Sequence, residues 1–342
     1  MTTATDTPML SPSFNLSRVI ADAIKLEMEA DERIVVLGED VGRQGGVFGS
    51  TRGLQKAFGD RRVRDMPISE MAFTGMGVGL AMSGYRPMIE IMFVDFIGVC
   101  LEQVYNAIAK NPYMSGGRVP MPVVIKTAGG CIGSAAQHSQ CLWGTFAHLP
   151  GMHVVAPSSP YDAKGLMAAA LRSDDPVIYI EHKGLLLSKL GDFSHGAEVP
   201  KGRYTVPIGE AATVRDGRDV TIATLSASVR DALVAADELA GEGIDVEVVD
   251  LRSVVPLDAD HVAASAARTG RLLVVDEDYL GFGLSGELIT RVLELLGPGA
   301  LRGIARHGVA NVPIPAARSL EQAVVPGSAS IAAAVRELVA RG

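Results

Sequence analysis

From Asn15 onward the apolar positions of the chain fall into two alternating patterns. Leu16, Val19, Ile20, Ala23 and Ile24 recur at three- and four-residue spacing, which buries one stripe of a helix, and Asn15 is a residue type that caps such a helix. Asp31 then leads into the continuous run IVVLGED (34–40). Similar runs follow as PMIEIMFV (87–94), MPVVIKT (121–127), MHVVAP from Met152 and PVIYIE (176–181), separated by helix-length segments at 70–83, 96–113, 137–147 and 160–172. Strands this apolar need cover on both faces, so the pattern predicts a mostly parallel sheet with helices on each side.

After Glu181 the periodicity stops for about 25 residues, a stretch with several glycines that reads as a linker or a long surface connection. A second alternation then begins, with strands at VTIATLS (220–226), VEVVDLRS (246–253) and RLLVVDED (271–278) and helices near 228–241, 257–269, 284–296 and 329–341. The expected organisation is a short mobile tail over 1–14, an α/β domain over 15–190, a linker over 191–212 and a smaller α/β domain over 213–342. A length of 342 residues suits about two domains.

Composition narrows the class. With 48% apolar and 20% charged residues the chain is neither disordered nor fibrous, and its 38 glycines suit many tight turns between strands and helices. The net charge of −8 argues against broad contact with nucleic acid. Cys100, Cys131 and Cys141 have no C-x-x-C spacing, so neither a disulfide framework nor a structural zinc site is indicated, and a reducing cytoplasm is the default location. The first fifteen residues lack the basic start and apolar stretch of a secretory signal, and no run of 18 apolar residues follows, so no membrane role is expected.

Two segments carry candidate chemistry. In RDMPISEMAFTGMGVGLAMSG (64–84), Pro67 and Ser69 sit where a helix would begin, and Ala72, Gly75, Gly79 and Ser83 present small residues along one face, open to close approach of another backbone. Glu70 is there either as a favourable charge at a helix N-terminus or as a functional carboxyl. In GGCIGSAAQHSQCLWGT (129–145), His138 follows a strand and would reach a cleft at its carboxyl end, or else cap or pack at a helix start. No Walker loop, HExxH, GxSxG elbow or metal-ligand spacing occurs, so an obvious phosphate or metal site is missing.

VLGEDVG (36–42), GGVFGSTRGLQKAFGD (45–60), RDMPISE (64–70), GLAMSGYRPMIEIMFVDF (79–96), YMSGG (113–117), AAQHSQ (135–140), HLPGMHVVAP (148–157), VVDLRSVVPLD (248–258) and VANVPIP (309–315) resemble the β subunit of the thiamine-diphosphate-dependent decarboxylating component of 2-oxo acid dehydrogenase complexes. The resemblance implies a pyrimidine-binding, transketolase-like parallel-sheet domain followed by a smaller transketolase C-terminal-type α/β domain. It implies that Glu70 hydrogen-bonds N1′ of the cofactor's aminopyrimidine and favours the imino tautomer, whose nitrogen removes the thiazolium C2 proton. It places Ile68, Met92 and Phe96 against the pyrimidine, although other members carry a polar residue at the last two places. His138 matches the histidine near the thiazolium that is implicated in stabilising intermediates or in protonating the lipoyl sulfur during acyl transfer.

In that family the magnesium and diphosphate motif belongs to the α subunit, and it is not found here. The resemblance therefore implies an α2β2 heterotetramer, Mg2+ bound mainly by the α subunit, and an acyltransferase core bearing lipoyl groups as the further partner. A potassium ion held by backbone carbonyls would fall at Ala170, Ser173 and Asp175. The expected activity is oxidative decarboxylation of a 2-oxo acid, pyruvate foremost, or acetoin cleavage. Alternatives are a branched-chain 2-oxo acid substrate, half of a split transketolase, or a noncatalytic scaffold paralogue.

Overall fold

The computed structural model describes residues 8–341. Its first sheet contains β1 (Ile34–Gly38), β2 (Val63–Asp65), β3 (Arg86–Ile91), β4 (Val124–Gly129), β5 (His153–Val155) and β6 (Val177–His182). The second contains β7 (Ala212–Arg215), β8 (Val220–Thr224), β9 (Val246–Asp250), β11 (Arg271–Tyr279) and β12 (Gly303–Val309), while β10 (Ser253–Val255) leaves it to join the first. The orders are β10-β5-β6-β4-β3-β1-β2 and β12-β11-β8-β9-β7. Pairing is parallel except at β10–β5 and β7–β9, both edge strands. Strands β1, β3, β4 and β6 are buried along their whole length, as continuous apolar runs require.

The first helix, Leu16–Ala30, starts as its sequence predicts: Asn15 accepts a side-chain hydrogen bond from the Arg18 amide at 3.1 Å. Its buried face carries Leu16, Val19, Ile20, Ala23, Ile24 and Met28 and packs on the helix Pro160–Arg172. Glu27 lies on the same face and is tolerated there because Arg172 and Arg203 each grip its carboxylate through two nitrogens, at 2.6–3.0 Å. At the sheet centre the Lys126 ammonium bridges Glu181 at 2.8 Å and Glu90 at 3.2 Å, and Ser50 donates to Glu181. These bonds tie the glycine-rich loop after β1 to three adjacent strands.

Several expectations are corrected. Residues 1–7 of the expected mobile tail lie outside the described residues, but 8–14 are fastened: Leu10 donates to Val199 O at 2.8 Å and packs with Val19, Leu190 and Val199. The segment 96–113 is broken into a 3₁₀ stretch (Val94–Cys100), a π-helical turn (Gln103–Ile108) and a short helix (Asn111–Met114), the last holding Pro112, whose ring and missing N–H suit a helix start. Only Trp143–Ala147 of the expected 137–147 helix forms, because Ala135 and Leu142 adopt positive φ and the chain between them is a loop. The apolar stretch Arg318–Ala340 is two helices, Arg318–Val324 and Ser328–Ala340, and the second buries Ile331, Ala332, Val335 and Leu338.

The two units are joined by more than a linker. β11 ends in three acidic residues that reach across to the first unit: Asp276 accepts from Trp143 Nε1 at 2.9 Å, Glu277 from the Cys131 amide at 3.2 Å, and Asp278 from the Gly144 amide at 3.1 Å. Burial, and then the neighbouring Asp278 charge, push the Asp276 carboxyl up to about 7, and its Oδ2 has no partner among the described residues. A raised folded-state pKa means that the stabilisation is fully present below the ordinary aspartate value near ~3.9 and is lost as pH rises through about 7. The emission of Trp143, the chain's one tryptophan, should therefore titrate with a midpoint near 7, and Asp276→Asn should remove that transition in a fluorescence titration from pH 5.5 to 8.5.

Candidate active site

Glu70 opens the helix Glu70–Met82, where the free backbone N–H groups of the first turn favour a negative charge. Ser69 precedes it but does not cap the helix with its side chain: its hydroxyl donates to Pro67 O at 3.0 Å. The Glu70 side chain is half-buried and borders a groove of about 540 Å³ with Ile68, Ser69, Met71, Val99 and Gln103. That groove is open, with Ile68 85%, Met71 52% and Val99 56% exposed. The small-residue stripe on this helix also faces outward: Ala72, Gly79 and Ser83 are exposed, and a Cβ at Gly79 would meet nothing within 4 Å. The tightly packed glycine is Gly77, where a Cβ would lie 2.5 Å from Ile89 Cδ1.

A second carboxyl, not singled out from the sequence, stands beside Glu70. Glu39 follows β1 immediately, and burial, then the charges of Glu70 and Asp40, push its carboxyl up, with the Ser69 amide opposing the shift. Glu39 Oε1 is buried without a partner among the described residues. Its place at the carboxyl end of a parallel strand was the signal available in IVVLGED.

His138 is not among the residues that border that groove. It is half-buried in the loop between β4 and the helix Trp143–Ala147, edge-on to Phe93 with ring centres 4.8 Å apart and to Phe96 at 5.3 Å. Of the residues expected to meet the pyrimidine, Ile68 lines the Glu70 groove, Phe96 packs on His138, and Met92 sits half-buried just past the end of β3. The 3₁₀ segment connects the two places: Phe96 touches His138, and Val99, one turn on, lines the groove.

The loop around His138 is held mainly by side chains. Within 131–139 a single backbone bond forms among the described residues, His138 N to Ala135 O at 3.4 Å. Gln140 donates to Asp95 at 2.8 Å, the Gly133 amide donates to Glu321 at 2.8 Å, and Lys183 Nζ donates to the His138 carbonyl. His182 Nδ1 accepts from the Gly184 amide, so its Nε2–H is the group that donates to Glu277, at 2.9 Å. Burial raises the Glu277 carboxyl, yet His182 and the Cys131 amide hold it below its ordinary range.

The carbonyls expected to bind potassium already accept hydrogen bonds: Ala170 O from the Ser173 amide, Ser173 O from Arg86 Nη2, and Asp175 O from Ser173 Oγ at 2.9 Å. A cation there would share Ser173 O with the Arg86 guanidinium.

The chain matches the transketolase pyrimidine-binding domain over residues 13–188 and the transketolase C-terminal domain over 209–331. It is 42% identical to the acetoin:2,6-dichlorophenolindophenol oxidoreductase subunit beta of Cupriavidus necator, over 97% of this chain and 99% of that one. It is 43% identical to the pyruvate dehydrogenase E1 component subunit beta of Bacillus subtilis, over 80% of this chain and 83% of that one, and 41% identical to the 2-oxoisovalerate dehydrogenase subunit beta of the same organism, over 92% and 95%. Among solved structures, a split-gene transketolase described as an inactive beta4 tetramer superposes with a TM-score of 0.76 at 23% identity, over 95% of this chain and 98% of that one, a likeness of fold. The chain belongs to the β subunits of the decarboxylating component of 2-oxo acid dehydrogenases, the family shared by the acetoin, pyruvate and branched-chain types.

Proposed function

We propose that this chain supplies the pyrimidine half of a thiamine diphosphate site and is active only with an α subunit, in an α2β2 assembly. The observation that carries the reading is the open groove at Glu70, where a carboxyl at a helix start is bordered by exposed Ile68, Met71 and Val99. Exposed apolar side chains clustered around a functional carboxyl are what a surface completed by another chain presents. A flat aromatic ring with a protonatable nitrogen fits that donor set, whereas no phosphate-binding loop accompanies it, so diphosphate and Mg2+ fall to the α subunit.

When bound, the cofactor supplies the nucleophilic carbon and the electron sink needed for loss of carbon dioxide. The role of this chain is to hold and move protons around it. Glu70 keeps a proton at the pyrimidine N1′ position, and Glu39, with its raised carboxyl, stands ready to share it. Ile68, Met92 and Phe96 offer apolar surface to the ring. His138 serves the later step, protonating the lipoyl sulfur as the acyl group is transferred to the acyltransferase core, and Phe93 and Phe96 fix its orientation.

Relatives of acetoin, pyruvate and branched-chain type lie within 41–43% identity, so identity does not rank the substrates. Pyruvate or acetoin is the reading favoured by FVDFIGVCLEQV (93–104) and IEHK (180–183). A dye-reduction panel on the αβ complex with pyruvate, acetoin and branched-chain 2-oxo acids decides between them. Location in the cytoplasm follows the same reading.

Two variants test the roles. Glu70→Gln in the αβ complex should lower decarboxylation by about 10²–10⁴-fold, and a rate near wild type removes Glu70 from the chemistry. His138→Ala should reduce lipoyl acylation at least about tenfold more than dye-coupled decarboxylation. Equal losses in the two assays would contradict its assignment to acyl transfer.

A further inference from the structure

Lys183 follows β6 directly and is 4% exposed, yet its ammonium forms no ion pair among the described residues. Nζ donates to the backbone carbonyl of His138 and lies 5.2 Å from the centre of the Phe93 ring, the ring on which the His138 imidazole packs. Burial lowers the Lys183 pKa, and the more distant Asp95, Cys141, Cys131 and Glu277 oppose the shift. An ammonium buried without a carboxylate partner destabilises a fold relative to an apolar side chain of similar length. Stability therefore does not explain a lysine here.

The neighbourhood points to position instead. The loop 131–139 has almost no backbone bonding of its own among the described residues, and Ser139 Oγ within it and Asp95 Oδ2 are buried without partners among those residues. The carbonyl of His138 is thus fixed from outside, by one cation that also sits on a ring touching the imidazole.

We propose that Lys183 is a positioning residue for His138: its ammonium, clamped between the His138 carbonyl and the Phe93 face, sets the loop backbone and with it the imidazole for acyl transfer. The catalytic part rests on the reading of His138 given above. The loop-clamping part stands on geometry alone.

The test uses the αβ complex with Lys183→Met, Lys183→Arg, His138→Ala and the double variant Lys183→Met/His138→Ala. Amide hydrogen exchange over 131–140 should accelerate in Lys183→Met and return toward wild type in Lys183→Arg, while the thermal midpoint of Lys183→Met stays level or rises. Lipoyl acylation in Lys183→Met should fall at least about tenfold more than dye-coupled decarboxylation, with partial rescue by Lys183→Arg and no further loss in the double variant beyond His138→Ala. Unchanged exchange in the loop, or multiplicative losses in the double variant, would overturn the positioning role. Accelerated exchange together with full acylation by His138→Ala would instead overturn the role of His138 and leave Lys183 as a loop clamp without catalytic consequence.

Discussion

The arrangement of the candidate site depends on carboxylates that cross from the second domain to the first. Asp276, Glu277 and Asp278, at the end of β11, take hydrogen bonds from Trp143, His182, Cys131 and Gly144, and Glu321 takes one from Gly133. Carboxyls buried to this depth need donors, and here the donors are amides and side chains of the loop that bears His138 and of its flanks, together with His182 at the end of β6. The domain interface and the loop that bears His138 are therefore one structure. β10, contributed by the second half of the chain to the edge of the first sheet, joins them further.

The two candidate groups are both half-buried but differ in their neighbours. His138 packs edge-on to Phe93 and Phe96, and Lys183 lies over the Phe93 ring. Glu70 stands on an open groove with exposed apolar neighbours, and the outward-facing stripe of Ala72, Gly79 and Ser83 on the same helix leaves room for a close approach. Val94–Cys100 runs between the groove and His138, so cover placed over Val99 would bear on Phe96 and through it on His138.

Much of this was legible in the sequence wherever burial is continuous. β1, β3, β4, β6, β8, β9 and β11 are legible because both faces are covered and each holds an apolar run, even where a charged residue such as Glu90, Lys126 or Glu181 interrupts it. β2, with VRD, and β12, with GIARHGV, are edge strands whose exposed positions break the pattern. The local pattern marks Glu70 and His138 as candidates, but a carboxyl at a helix start and a histidine after a strand each have ordinary explanations, and only the resemblance favours the functional ones. The loop form of 131–142 was hidden, because its shape comes from Glu277, Glu321 and Lys183, residues remote in sequence. Lys183 and Glu39 did carry one local signal, a charged residue at the carboxyl end of a parallel strand.

A shared cofactor site is tested most directly by calorimetric titration of thiamine diphosphate, with Mg2+ present, into the isolated chain and into the purified αβ complex. The expected result is one cofactor bound per αβ pair and no saturable binding to the isolated chain. Saturable, stoichiometric binding to the isolated chain would contradict a site divided between two subunits.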